Sequence, residues 1–261
     1  LQECIELLRD RPQLIFYGPP GTGKTYIAQH LARHVAGDNI RLVQFHPGYS
    51  YEDFFEGYRP VKSGGFELKP GPLRKVVDAA RANPATPYVL IIDEINRGNL
   101  AKIFGELYFL LEYRDQNVDL LYATDDDIGF TLPRNVFVIG TMNTADRSIA
   151  LVDFALRRRF HFFHFMADPD LLDRWLVQNP LPTIPYLANL YRRLSQEAID
   201  DPDYAVGFSY FMDKELTPTK LALIWQYSIL PYLAEYHVEQ RARVKNWEWD
   251  SDFMREIRRE T

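Results

Sequence analysis

The chain has 261 residues, of which 46% are apolar and 25% charged, an ordinary globular composition that excludes disordered and collagen-like chains. Thirty Lys and Arg against 36 Asp and Glu leave a net charge of −6, so no global basic field for nucleic acid surrounds the molecule. Cys4 stands alone, which excludes an internal disulfide and a thiolate metal cluster and sets the expectation of a reducing, cytoplasmic protein, while no stretch reaches the ~18 uncharged apolar residues of a membrane span.

The chain opens at Leu1 without a Met, as expected of a segment cut from a longer protein, and no signal peptide is visible. Residues 1–10 read as a short helix with Leu1, Cys4, Ile5, Leu7 and Leu8 on one face. The apolar run 13–17 predicts a buried strand, 24–36 a helix ending near Gly37, and 40–45 a second strand. Ser50 with Asp53 resembles a capping box ahead of Phe54 and Phe55. Residues 61–68 around Gly64-Gly65 predict a β-hairpin, and Pro72 opens a helix to about Asn83. The continuous apolar run 88–92 predicts a strand covered on both faces. Leu100, Ile103, Phe104, Leu107, Leu110 and Leu111 keep one helical period, 125–127 reads as a solvated acidic loop, and 136–139 is another buried strand. A helix over 148–156 and a strand over 160–165 follow, and after Asp168 the pattern is helical, over about 168–178, 185–199, 217–236 and 250–259. Strands alternating with helices predict an α/β fold with a mostly parallel sheet flanked by helices over 1–166 and a helical module over 167–261.

Gly18-Pro19-Pro20-Gly21-Thr22-Gly23-Lys24-Thr25 fits the phosphate-loop pattern in full, between a predicted strand and a predicted helix. The glycines let successive N–H groups face one centre, and the helix N-terminus adds partial positive charge. In that reading Lys24 neutralises the β- and γ-phosphates of a nucleotide and Thr25 offers its hydroxyl to Mg²⁺. Asp93 and Glu94 end the 88–92 strand, where ligands of open α/β sheets sit; Asp93 would hold Mg²⁺ directly or through water, and Glu94 would act as general base on the attacking water. The next strand ends in Thr141-Met142-Asn143-Thr144-Ala145-Asp146-Arg147, where Asn143 is the candidate to orient that water. Arg157-Arg158-Arg159 precede an apolar strand, and at least one of them could reach a neighbouring subunit's γ-phosphate. His161 and His164 fall on opposite faces of a strand, which argues against joint metal ligation, and Trp247 and Trp249 read as packing residues. The Gly64-Gly65 hairpin, with Lys62 and Lys69, suits a pore or a neighbour as well as a plain surface.

Together these residues resemble an AAA+ P-loop NTPase with a C-terminal helical lid, and more narrowly the McrB-like motors of modification-dependent (type IV) restriction systems. The resemblance rests on 18–25, Phe45-His46-Pro47 with Tyr51-Glu52-Asp53-Phe54, Ile92-Asp93-Glu94-Ile95-Asn96-Arg97, 142–148, and Val152-Asp153 through Phe160. It implies a homo-oligomeric ring, usually a hexamer, with nucleotide at subunit interfaces, a separate McrC-like nuclease subunit, and DNA reading by a domain outside this segment. It implies GTP as substrate, while the residues leave ATP open: Asn143-Thr144-Ala145-Asp146 lacks the lysine of the guanine-reading Asn-Lys-x-Asp motif. A base pocket is expected near 10–13 and the lid. By position Arg158 and Arg159 match the family's interface arginines and Asn143 its sensor asparagine; no lid sensor residue is assigned, since 206–211 carries no arginine. Two other readings share the core: a MoxR or dynein-related remodelling chaperone, and a nucleotide-gated scaffold with little turnover.

Overall fold

The computed structural model describes residues 1–123, 129–146 and 154–259. The loop expected at 125–127 and the first part of the helix expected over 148–156 lie outside them. The chain divides into two compact units. The first comprises 1–17, 24–142 and 146–164; the second comprises 18–23, 143–145 and 165–261.

In the first unit, α1 (Gln2–Asp10) buries Cys4 and Leu8, and β1 (Gln13–Gly18) follows it into the core. After α2 (Lys24–Ala36) and β2 (Ile40–Gln44), the short α3 (Tyr51–Phe54) starts with the expected capping box, in which the Ser50 N–H and hydroxyl donate to Asp53 Oδ2 at 3.2 and 2.9 Å. β3 (Glu56–Pro60) and β4 (Phe66–Pro70) form an antiparallel two-stranded sheet. The hairpin is therefore wider than expected, with Gly64-Gly65 in its 61–65 loop. α4 (Pro72–Ala82), β5 (Tyr88–Asp93), α5 (Leu100–Phe104), α6 (Leu107–Leu110), β6 (Val136–Asn143), α7 (Phe154–Arg159) and β7 (His161–His164) complete the unit. The single helix expected over 100–111 is broken, because Gly105 adopts φ 51° and ends α5.

The main sheet has the order β2-β5-β6-β1-β7, with β2–β5, β5–β6 and β1–β7 paired in parallel. β5 and β6 are buried along almost their whole length because they lie inside the sheet, with helices packed on it, as continuous apolar runs require. The edge strand β2 is largely exposed. Parallel pairing sends the C-terminal ends of β5, β6 and β1 to one edge of the sheet. The opposite edge holds the start of β1, and Leu14 lies in register with His161 of β7.

The second unit is helical: α8 (Pro169–Gln178), α9 (Leu187–Glu197), α10 (Pro218–Ile224), α11 (Leu230–Tyr236), α12 (Arg241–Asn246) and α13 (Asp252–Ile257). A π-helical turn, Trp225–Ile229, joins α10 to α11, so the predicted 217–236 helix is continuous but unwound in its middle. Pro231 explains the turn, since it cannot donate to the carbonyl four residues back. The core is built around Trp225, Tyr191 and Phe211, and the Tyr191 hydroxyl donates to the Val206 carbonyl at 3.0 Å. Trp247 is buried beside Trp225, whose indole N–H donates to the Trp247 carbonyl, and Trp249 packs on the same ring. Among the described residues no helix is long and apolar enough to cross a membrane.

Candidate functional site

The phosphate-loop segment 18–23 is tied by its backbone within the second unit. Gly207 N–H donates to the Pro20 carbonyl and Ser209 N–H to the Gly21 carbonyl, each at 3.0 Å, and Thr144 N–H donates to Gly18 at 3.0 Å. The Thr22 hydroxyl closes the loop on the Pro19 carbonyl at 3.0 Å. Gly21 holds φ 76°, a conformation that a side chain resists. The approach of the 206–211 stretch is equally demanding, since a Cβ on Gly207 would lie 2.0 Å from the Gly21 carbonyl carbon. The 206–211 stretch, which carries no arginine to act as a lid sensor, contributes through its backbone, which holds the loop.

In the first unit, Lys24 and Thr25 open α2 below the ends of β5 and β6. The Thr25 hydroxyl donates to Asp93 Oδ1 at 2.8 Å, and the Thr141 hydroxyl donates to the same oxygen. Thr141 also accepts the Glu94 N–H at 3.4 Å, so one buried hydroxyl links both acids. In the sequence Thr141 stands out only as a polar residue in an otherwise apolar buried strand. Glu94 is a non-glycine residue with positive φ (52°), a strained conformation costing roughly 1–2 kcal/mol. Arg97 lies 3.4 Å from Glu94 Oε2 and 3.1 Å from Asp146 Oδ2, joining the Asp-Glu-Ile-Asn-Arg stretch to the segment that follows β6.

Lys24 is buried, and desolvation pulls its pKa down to about 8 against the opposing pull of Glu94 and Asp93. The hydroxyl of Thr25 and the carboxylate of Asp93 are hard oxygen donors at one point, which fits Mg²⁺; that ion is bound by one or two protein oxygens, with phosphates and water as further ligands. Among the described residues no group of three or more His, Cys, Asp and Glu converges as a metal site. Asn143 is half-buried at the end of β6.

The arginines lie elsewhere. Glu112 accepts from Arg158 at 3.0 Å and pairs with Arg159 at 3.4 Å, and Arg11 donates to the Arg158 carbonyl. Arg157 instead stacks over Phe162 at 5.4 Å. Arg158 and Arg159 thus sit at the start of β7, the edge of the sheet opposite Asp93. Six residues of strand at about 3.3 Å each separate the edges by ~17 Å, so these arginines do not reach Asp93 and Glu94 of their own chain. Asp10, Arg11, Pro12 and Gln13, where a base pocket is expected, lie on this edge and line a cavity of about 550 Å³ together with Arg114, Arg134, Arg158 and Arg159. His161 pairs with Asp10 at 2.7 Å, and His164 stacks on Tyr17.

Residues 13–160 match the AAA domain (dynein-related subfamily) model, and residues 183–245 match that of the McrB alpha-helical lid domain. The chain is 37% identical to the EcoKMcrB subunit of the type IV methyl-directed restriction enzyme of Escherichia coli K12, over 95% of this chain and 58% of that protein. It is 32% identical to component YdiS of the type II restriction enzyme BsuMI of Bacillus subtilis, over 60% of this chain and 58% of that protein. It is 33% identical to the ATP-dependent zinc metalloprotease FtsH of Ureaplasma parvum, over 62% of this chain and only 19% of that protein. The chain therefore spans less than two thirds of the length of each of these relatives.

Proposed function

The chain belongs to the AAA domain family, dynein-related subfamily, whose fold is that of an NTPase, and on that footing we propose that it is the motor segment of a restriction system, hydrolysing GTP or ATP with Mg²⁺. The observation that carries this reading is the convergence of Thr25 and Thr141 on Asp93, with buried Lys24 beside Asp93 and Glu94. Lys24 and the 18–23 loop (Gly18, Pro19, Pro20, Gly21, Thr22, Gly23) hold the phosphates. Thr25 and Asp93 hold Mg²⁺, which when bound neutralises charge developing between the β- and γ-phosphates. Glu94 accepts the proton of the attacking water, and Asn143 orients that water. Arg158 and Arg159 serve the site of the next subunit, which makes turnover depend on assembly into a ring, a hexamer by family likeness. In this reading 1–166 is the motor body and 167–261 the lid.

The lid match and the two restriction relatives favour a restriction motor over a general remodelling chaperone. The partner is then an McrC-like nuclease, with DNA reached through that partner and through a domain outside this segment. Phosphate release from GTP and ATP, with and without Mg²⁺, tests the reading. Mg²⁺-dependent release from at least one of them is expected, with competition binding ranking the bases; no release from either, with nuclease partner and DNA supplied, would overturn it.

A further inference from the structure

Glu112 lies outside every motif that pointed to the site, at the end of a short helical stretch with no acid or base role of its own. Its carboxylate is shared between two neighbouring guanidinium groups, Oε1 taking Arg158 Nη2 at 3.0 Å and Oε2 taking Arg159 Nη2 at 3.4 Å. Arg158 is 70% exposed, whereas Arg159 is 15% exposed and lies with its guanidinium over the Tyr108 ring at 4.3 Å. Arg11 donates to the Arg158 carbonyl, which fixes the backbone of the same turn. Two adjacent arginines on one helical turn diverge by about 100° unless something gathers them. Arg157 shows the alternative, turned away over Phe162.

We propose that Glu112 is a positioning residue that gathers Arg158 and Arg159 into one cationic pair for the phosphates bound by the neighbouring subunit. The inference rests on the reading above that these arginines act across an interface. A long exposed arginine otherwise loses rotamer freedom at the moment it meets the phosphate. Glu112 imposes that order on both guanidinium groups beforehand. Because one carboxylate serves two cations, the cluster keeps a net positive charge and still attracts a phosphate.

The test uses the full chain. E112A is expected to bind nucleotide within about twofold of the unsubstituted chain, because Lys24, Thr25 and Asp93 are untouched, and to lose at least tenfold in kcat. E112Q, with one acceptor oxygen and no charge, is expected to fall between. A general loss of folding is separated from this role by mixing subunits. An E112A subunit keeps its own Glu94, and an E94Q subunit keeps a gathered arginine pair. Mixtures of the two are therefore expected to regain turnover that neither has alone. The control mixes the R158A/R159A chain with E94Q. If the control regains turnover and the E112A mixture does not, or if E112A alone is as active as the unsubstituted chain or more so, the role of Glu112 is overturned. If the control itself regains nothing, action across the interface fails, and the proposal falls with it.

Discussion

At the scale of single residues, Lys24 carries the sharpest consequence. Burial holds its pKa near 8 in the free protein, because an ammonium group out of water is disfavoured. Bound phosphates favour the ammonium and raise that value. Between the two pKa values binding must take up a proton, so uptake is expected at pH 8–9 and should vanish by about pH 6.5. Affinity at pH 9 should be about tenfold weaker than at pH 7, since only about a tenth of the free protein then carries the charge. Calorimetry in buffers of different ionisation enthalpy measures both. Thr141 offers a second check. Thr141→Val keeps the shape but removes the donor to Asp93 and the acceptor for the Glu94 N–H, a loss of about 1.5–3 kcal/mol for a bond to a charged group. A Mg²⁺ titration of hydrolysis is expected to show a higher half-saturation concentration and lower turnover, with the thermal midpoint lowered by roughly 3–10 °C. Lys24, Thr25, Asp93 and Glu94 were legible in the sequence because phosphate chemistry demands fixed types at fixed spacing. Thr141 and Glu112 were not, because their partners are remote in sequence: Thr141 meets Asp93 48 positions away, and Glu112 meets Arg158 46 positions away.

At the scale of elements, periodicity located the buried strands and the long helices, since both obey a repeat that burial enforces. It failed where one backbone angle decides. The apolar period across 100–111 is unbroken, yet Gly105 at φ 51° splits it, and a Cβ there would press on the Tyr51 ring at 3.2 Å. The hairpin is wider than its glycines alone predict for a related reason: Gly64 and Gly65 mark the turn, but the strands flanking it carry Glu56, Arg59, Glu67 and Lys69 and show little alternation. The 206–211 stretch acts through its main chain, which side-chain motifs do not reveal. Gly207→Ala would drive a Cβ into the Gly21 backbone and break the Gly207 N–H bond to Pro20. Nucleotide affinity is expected to fall at least tenfold while helical circular dichroism is retained; unchanged affinity would remove this stretch from the loop's support.

At the scale of the whole molecule, a parallel sheet sorts its chemistry by strand direction. The acids and Lys24 gather where β5 and β6 end; the arginine pair gathers where β7 begins. Under the proposed function, a chain whose acids and arginine pair lie on opposite edges of one sheet completes its phosphate site with a second copy. A net charge of −6 leaves room for a locally basic edge: Arg11, Arg114, Arg134, Arg158 and Arg159 line one cavity there, beside Asp10, Glu112 and Asp115. The alternation of strands and helices and the helical second half were legible from the sequence alone. The opposition of the two edges was not, because it follows from strand order.

The account turns on Glu94 as the base in a site that Lys24, Thr25 and Asp93 assemble without it. Single-turnover phosphate release from nucleotide bound to the Glu94→Gln chain tests this most directly. Retained binding with release slowed by at least ~100-fold is expected, the range for losing a positioned general base. Release at the rate of the unsubstituted chain would contradict it.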